Sequence, residues 1–129
     1  MSSYSKEIIV SEKDLDDLDH VNNVRYVQWI QDISKEHWQK VAPKRMQEDI
    51  VWVVMTHYIE YLSSALINDP ILLKTYIKSS KGAKSTRIVE MFHGNTNNPI
   101  LRSTTEWCLV SKNTQRPIRI SEEIKVLFS

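Results

Sequence analysis

"SEKDLDDLDHVNNVRYVQWIQD" occupies residues 11–32. Five acids fall within the eight positions from Glu12 to Asp19, a histidine follows, and then two asparagines. Beyond them Tyr26, Ile30, Ile33 and His37 recur at i, i+4, i+7 and i+11, with Val27 and Trp38 alongside. That spacing predicts an amphipathic helix over residues 22–40. Asn22 or Asn23 suits its N-cap, and Pro43 ends the helical region. The stretch therefore sets concentrated negative charge against the start of a long helix.

Around this helix the chain reads as strands. "SKEIIV" (5–10) precedes it. "DIVWVVMTHYIEYL" (49–62), "PILLKTYIKSS" (70–80), "STRIVEMFH" (85–93) and "ILRSTTEWCLV" (100–110) follow, rich in β-branched and aromatic residues. "NDP", "KGAK" and "GNTNNP" punctuate them as turns, and "IRISEEIKVLF" is a terminal element of either type. One long helix among antiparallel strands at hairpin spacing is an α+β pattern. One helix covers one face of such a sheet. Trp29, Trp38, Trp52 and Trp107 are more indoles than so small a core needs, so self-association is expected.

Composition narrows the function. The chain has 129 residues, 41% of them apolar, and a formal charge of +1. That is one domain over residues 1–129 with a real core. The charge favours neither nucleic acid nor a membrane surface as partner, and no apolar run reaches the ~20 residues of a membrane span. Cys108 is the only cysteine; mid-strand, it reads as a buried small hydrophobe, and a reducing cytoplasm is the expected compartment. Only Gly82 and Gly94 are present, too few for a glycine-rich phosphate loop. No metal or redox cofactor is implied.

The acids admit several readings. An EF-hand loop needs Gly at position 6 and Glu at 12; counted from Asp14, those positions are Asp19 and Arg25, so calcium fails. A looser Mg²⁺ site through Asp14 and Asp16 is open, as is a solvated turn whose acids favour the helix N-terminus. The chemical reading uses the same geometry. Free N–H groups at a helix start can hold an oxyanion, and a nearby carboxylate can attack the carbonyl carbon or activate a water. A thiol leaving group needs little acid assistance. These parts suffice for thioester hydrolysis.

"DLDDLDHVNNVRY" also resembles the D-x-D-x-x-G-H-V-N-N-x-x-Y signature of hotdog-fold acyl thioesterases, the 4-hydroxybenzoyl-CoA thioesterase-like and acyl-ACP thioesterase-like group. "IEYLSSALINDPILLKTYI", "KGAKSTRIVE" and "TQRPIRISEEI" are similar to that family's later segments, in the same order. The resemblance implies a long central helix wrapped by a curved antiparallel sheet. It implies a homodimer or homotetramer with sites at the dimer interface, and an acyl-CoA or acyl-carrier-protein substrate. It casts Asp16 as nucleophile or general base, with His20 orienting substrate or water. Asn23 stands where some members have a histidine, and the amides of Asn22 and Asn23 would polarise the carbonyl. Tyr26 matches the motif tyrosine and equally suits the core. Departures are Asp19 for the usual glycine, Leu18 for an asparagine, Ala65 for a cysteine and Gln31 for a helix glutamate. A cysteine-based triad therefore does not transfer.

The segment from Pro70 to Val89 holds Lys74, Lys78, Lys81, Lys84 and Arg87 and no acid. It is a solvated sheet face or a surface for an anionic partner such as coenzyme A phosphates or an acidic carrier. Lys84, Ser85 and Arg87 are candidate contacts for a nucleotide tail at the hairpin. Ser63 and Ser64 could hold water or pantetheine, and His57 reads as structural. Two other classes share this pattern: a hotdog enoyl/hydroxyacyl hydratase-dehydratase using an Asp/His pair, and a non-catalytic acyl-binding hotdog module.

Overall fold

The computed structural model describes residues 2–129. Strand β1 (Ser3–Ile9) leads through a 3₁₀ turn (Glu12–Asp14) to helix α1 (Asn23–Val41) and a short helix α2 (Lys44–Asp49). Strands β2 (Ile50–Tyr61), β3 (Pro70–Lys81), β4 (Lys84–His93) and β5 (Pro99–Ser111) follow, and helix α3 (Glu122–Leu127) closes the chain. The strands form one five-stranded sheet in the order β1-β3-β4-β5-β2, antiparallel throughout. β2 is thus an edge strand.

Helix α1 begins where the sequence places it, because the Asn22 side chain accepts the Val24 amide at 3.1 Å. Its predicted stripe is buried against the sheet, with Ile30 and Ile33 wholly inaccessible. Each such isoleucine contributes ~1.5–3 kcal/mol. α1 stops at Val41, just before Pro43 as expected; what the sequence did not signal is the short helix α2 that follows, with Pro43 at its N-cap, where its fixed φ and missing N–H break no helical hydrogen bond. The terminal element is helical because Ser121 caps it, accepting the Ile124 amide at 3.3 Å.

The inner face of the sheet is not uniformly apolar. His57, Thr105 and Arg87 stand side by side across β2, β5 and β4. His57 Nδ1 lies 2.9 Å from Thr105 Oγ1. Arg87 Nη1 donates to His37 Nδ1 at 2.9 Å and to Thr75 Oγ1 at 3.0 Å. This polar lane separates two apolar clusters. One surrounds Tyr26, Trp29, Ile30 and Ile33; the other surrounds Trp38, Leu109, Ile124 and Phe128.

Two expectations change here. Arg87, read as a surface contact at the hairpin, is only 5% exposed; it lies on the inward side of β4, two residues along from the buried Ser85 and Val89. Ser85 is buried with it, so neither joins the exposed lysines Lys74, Lys78, Lys81 and Lys84. Cys108 is buried as expected.

Candidate active site

The acidic stretch divides into different tasks. Asp14 is a structural acid, 3% exposed. Its Oδ2 accepts the Ser11 amide at 2.8 Å and the Ser11 hydroxyl at 3.1 Å, while Oδ1 accepts from Arg25 Nε at 2.7 Å. Burial alone would raise its pKa, but the hydrogen bonds from Ser11 and the Arg25 guanidinium outweigh it and hold the carboxyl below the usual range. Both oxygens are engaged, so the Asp14–Asp16 magnesium reading loses one of its ligands. Among the described residues no three His, Cys, Asp or Glu side chains group to hold a metal ion.

Asp16 has the other task. Leu15 and Val21 pair as an isolated antiparallel bridge, and the Asp16 amide donates to the His20 carbonyl at 2.7 Å. Residues 16–20 therefore form a closed loop. Asp16 Oδ1 accepts the Leu18 amide at 2.9 Å and the His20 amide at 3.1 Å. Its Oδ2 has no partner among the described residues. Asp19 closes the loop with φ 60°, the left-handed conformation that explains a glycine in the related motif. Asp tolerates it better than most residues.

The loop is pinned to the helix start and to the end of β2. The Val21 amide donates to the Ala65 carbonyl at 3.1 Å, and the Asn22 amide to the Asp14 carbonyl at 2.8 Å. This corrects the expected pair of polarising amides. The Asn22 N–H is engaged, Val24 donates to the Asn22 side chain, and Arg25 and Tyr26 donate to the Asn22 carbonyl. Among the described residues, the Asn23 N–H is the one donor of the first turn without an acceptor.

An open cavity of about 430 Å³ gathers Asp16, His20, Asn23, Tyr26, Tyr61 and Ser64. Tyr26 braces it from below: buried, it accepts the Ala65 amide at 3.2 Å. Burial raises its pKa, so it stays a neutral phenol. Tyr61 carries no sequence signal beyond "IEYL", which marks its strand end. Its hydroxyl donates to Asn23 Oδ1 and fixes that side chain. Burial raises the Tyr61 pKa as well. Ser63 is held by the Pro99 carbonyl at 2.8 Å, whereas Ser64 has no hydrogen bond among the described residues. Asn22 sits behind the cavity as the helix cap.

Lys84, Ser85 and Arg87 are not part of this cavity. Lys84 faces Glu106 at 3.7 Å on the outer surface. Ser85 and Arg87 line a second cavity of about 470 Å³ at the other end of β2, beside Trp38, Trp52 and Trp107.

A long helix packed on one face of a five-stranded antiparallel sheet, with a carboxylate loop before it, is the hotdog fold. Solved structures agree. A 4-hydroxybenzoyl-CoA thioesterase mutant complexed with 4-hydroxybenzoyl-CoA matches with TM-score 0.89 at 15% identity, over 98% of this chain and 99% of that one. A 1,4-dihydroxy-2-naphthoyl-CoA thioesterase from Synechocystis gives 0.84 at 11% identity, over 98% and 96%. A 12:0-ACP thioesterase from Umbellularia californica gives 0.82 at 15% identity, over 96% of this chain and 48% of that one. No curated protein matches in sequence. The chain belongs to the acyl-ACP thioesterase N-terminal domain family, which it matches over residues 1–128. It is a thioester hydrolase.

Proposed function

We propose that residues 1–129 act as one cytoplasmic hotdog domain that hydrolyses acyl-CoA or acyl-carrier-protein thioesters, with Asp16 driving the attack. The observation that carries this reading is the pairing of a carboxylate having one free oxygen with a helix start having one free N–H, at Asn23. The thioester carbonyl accepts from that N–H, which stabilises the negative charge of the tetrahedral intermediate. Asp16 takes a proton from the attacking water, or attacks the carbon itself and forms an acyl anhydride that water then hydrolyses to the free acid. The C–O bond forms first; the tetrahedral intermediate then collapses with cleavage of the C–S bond, and the thiolate leaves and takes up a proton. His20 and Ser64 position water or the pantetheine.

We further infer a homodimer formed through β2. This edge strand presents an unpaired row of backbone N–H and C=O groups. It also exposes Val51, Val53, Met55 (51% exposed) and Tyr58 (64% exposed). Such an edge recruits another strand, and a second copy offers a self-complementary one about a two-fold axis. A twelve-residue strand spans about 35–40 Å, so the two cavities of one chain lie too far apart to share one acyl group. Antiparallel pairing of two β2 edges sets residues 50–52 of one copy beside the 59–62 end of its partner. The active site is then composite. Exposed Lys74, Lys78 and Lys81 suit the phosphates of coenzyme A or an acidic carrier.

The test is thiol release from short, medium, long and aromatic acyl-CoAs and from acyl-carrier protein, with Asp16→Asn alongside. Asparagine keeps the Oδ1 acceptor for Leu18 and His20, so the loop stays intact. The expected loss in kcat is ~10²–10⁴-fold. Wild-type turnover in a cleanly folded Asp16→Asn protein refutes the assignment.

A further inference from the structure

The cavity between α1, β2, β4 and β5 has a chemistry that thioester cleavage does not use. Its lining includes Lys35, Arg87 and Lys112 and no acid. Arg87 is nine-tenths buried, yet among the described residues no carboxylate forms an ion pair with it. One nitrogen, Nη1, is held by His37 and Thr75, and the guanidinium carbon lies 5.6 Å from the Phe128 ring centroid. Nε and Nη2 have no acceptor among the described residues. His37 cannot serve as counter-charge: its Nδ1 accepts from Arg87, and burial holds it neutral. A second donor stands in the wall of the same cavity. Trp107 Nε1 is buried with no hydrogen-bond partner among the described residues, two residues along β5 from Thr105, the position facing Arg87.

A buried cation without a counter-charge and an orphaned indole N–H each destabilise the fold. Both side chains line one space of about 470 Å³, within the range of small-molecule pockets, with the indole N–H just beneath its wall. The remaining walls carry no charge: Trp38, Trp52, Ile50 and Ile77 supply apolar surface, and serine and glutamine side chains, Ser34, Ser85 and Gln47 among them, supply neutral polar groups. Lys35 and Lys112 are exposed, while Arg87 and Trp107 Nε1 lie inside. A phosphate would meet lysines at the rim. The interior instead suits an apolar body ending in a flat acceptor that a guanidinium and an N–H can grip together, which is a carboxylate.

We propose that this cavity is a carboxylate subsite, and that it selects acyl groups bearing a second carboxylate at the end far from the thioester. This rests on the thioesterase and β2-dimer reading, in which the cavity of one copy opens toward the partner's Asp16. The thioester carbonyl lies at the carboxylate loop of one copy, and the chain runs into the other copy to end on Arg87 and Trp107. Cleavage then releases a free dicarboxylic acid.

The test compares thiol release from suberyl-CoA and octanoyl-CoA, two eight-carbon esters that differ in the distal carboxylate. Wild type is expected to favour suberyl-CoA in kcat/KM by about tenfold or more. Arg87→Met abolishes that ratio, and Trp107→Phe, which keeps the ring and removes the N–H, lowers it about threefold. A wild-type ratio of one or less overturns the proposal, as does a ratio that neither variant changes. If Arg87→Met fails to fold, Trp107→Phe alone decides. Tryptophan fluorescence gives a reading independent of turnover, since Trp38, Trp52 and Trp107 line the space. If neither ester is cleaved, the hydrolytic reading is what fails on these substrates. The carboxylate subsite then stands if suberate and octanoate shift the emission while octanol does not, and falls if the three behave alike. Octanoate binding without a suberyl preference assigns the cavity to the released acid and overturns substrate selection.

Discussion

His37 should make the fold acid-sensitive, and its size follows from its surroundings. The ring is 1% exposed. Tyr4 of β1 stacks on it, Phe128 meets its edge, and Ser2 Oγ lies 3.1 Å from Nε2. Arg87 is the charged group that faces it. Burial first, and the Arg87 charge second, lower its pKa from 6.5 to about 4. The unfolded chain therefore binds more protons than the native one between those values. Stability from neutral His37 is fully present above pH 6.5 and is lost as pH falls toward 4. The whole shift corresponds to about 3 kcal/mol, of which about 2 kcal/mol has gone by pH 5. Asp14 acts lower: its depressed pKa keeps its contribution present above the ordinary carboxylate range. Burial lowers the His57 pKa too, with the same sign, so a variant is needed to isolate His37. Urea titrations of wild type and His37→Gln from pH 7.5 to 4.5 provide the difference. Wild type should lose about 2 kcal/mol more than the variant by pH 5. Parallel losses would mean that His37 takes up its proton as readily in the native chain as in the unfolded one, and the hydrogen-bond assignment with Arg87 would be wrong.

Asp19→Gly should raise stability by roughly 0.5 kcal/mol and Asp19→Ala should lower it by about 1 kcal/mol, because φ 60° favours glycine and disfavours Cβ; thermal melts check the order, and the reverse order would remove backbone strain as the cause. Arg25→Met leaves buried Asp14 with only Ser11 and should cost about 2 kcal/mol, discounted because Arg25 is partly exposed; Arg25→Met with Asp14→Asn should recover part of that in a double-mutant cycle. Met55→Lys sets like charges against each other near the centre of paired β2 edges, and sedimentation should shift from dimer to monomer; an unchanged dimer would place the interface elsewhere.

The regular elements were legible because period and turn chemistry agree. The α1 stripe at Tyr26, Ile30, Ile33 and His37 is buried as its spacing requires, and the strand boundaries follow the Asn, Gly and Pro turns. Short helix α2 escaped, since "KRMQED" has one apolar residue and too little length to display a period. Arg87 misled for a related reason. Alternation along "STRIVE" permits either side of the strand to face inward, and a basic residue among lysines reads as solvated. Only the register with Thr105 and the approach of His37 decide it. Tyr61 carried no local signal either, because its role comes from Asn23, thirty-eight positions away.

The acidic stretch shows why local composition underdetermines a site. Asp14, Asp16 and Asp19 are chemically alike and lie within six residues, yet only one has the arrangement that the proposed reaction needs. Asp14 sits two residues before the loop closes, so its carboxylate turns inward to Arg25 and Ser11. Asp19 occupies the left-handed turn and serves the backbone. Asp16 lies between them at the closure, where two amides fix one oxygen and leave the other open. The same division of labour holds the reactive part still. Asp14 anchors the loop to the helix through Arg25 and through its carbonyl bond to the Asn22 amide, and that bond is what leaves Asn23 with the free N–H. Neutralising Asp14 would therefore disturb catalysis by misplacing the donor, with kcat falling alongside stability, whereas Asp16→Asn should lower kcat with the fold unchanged.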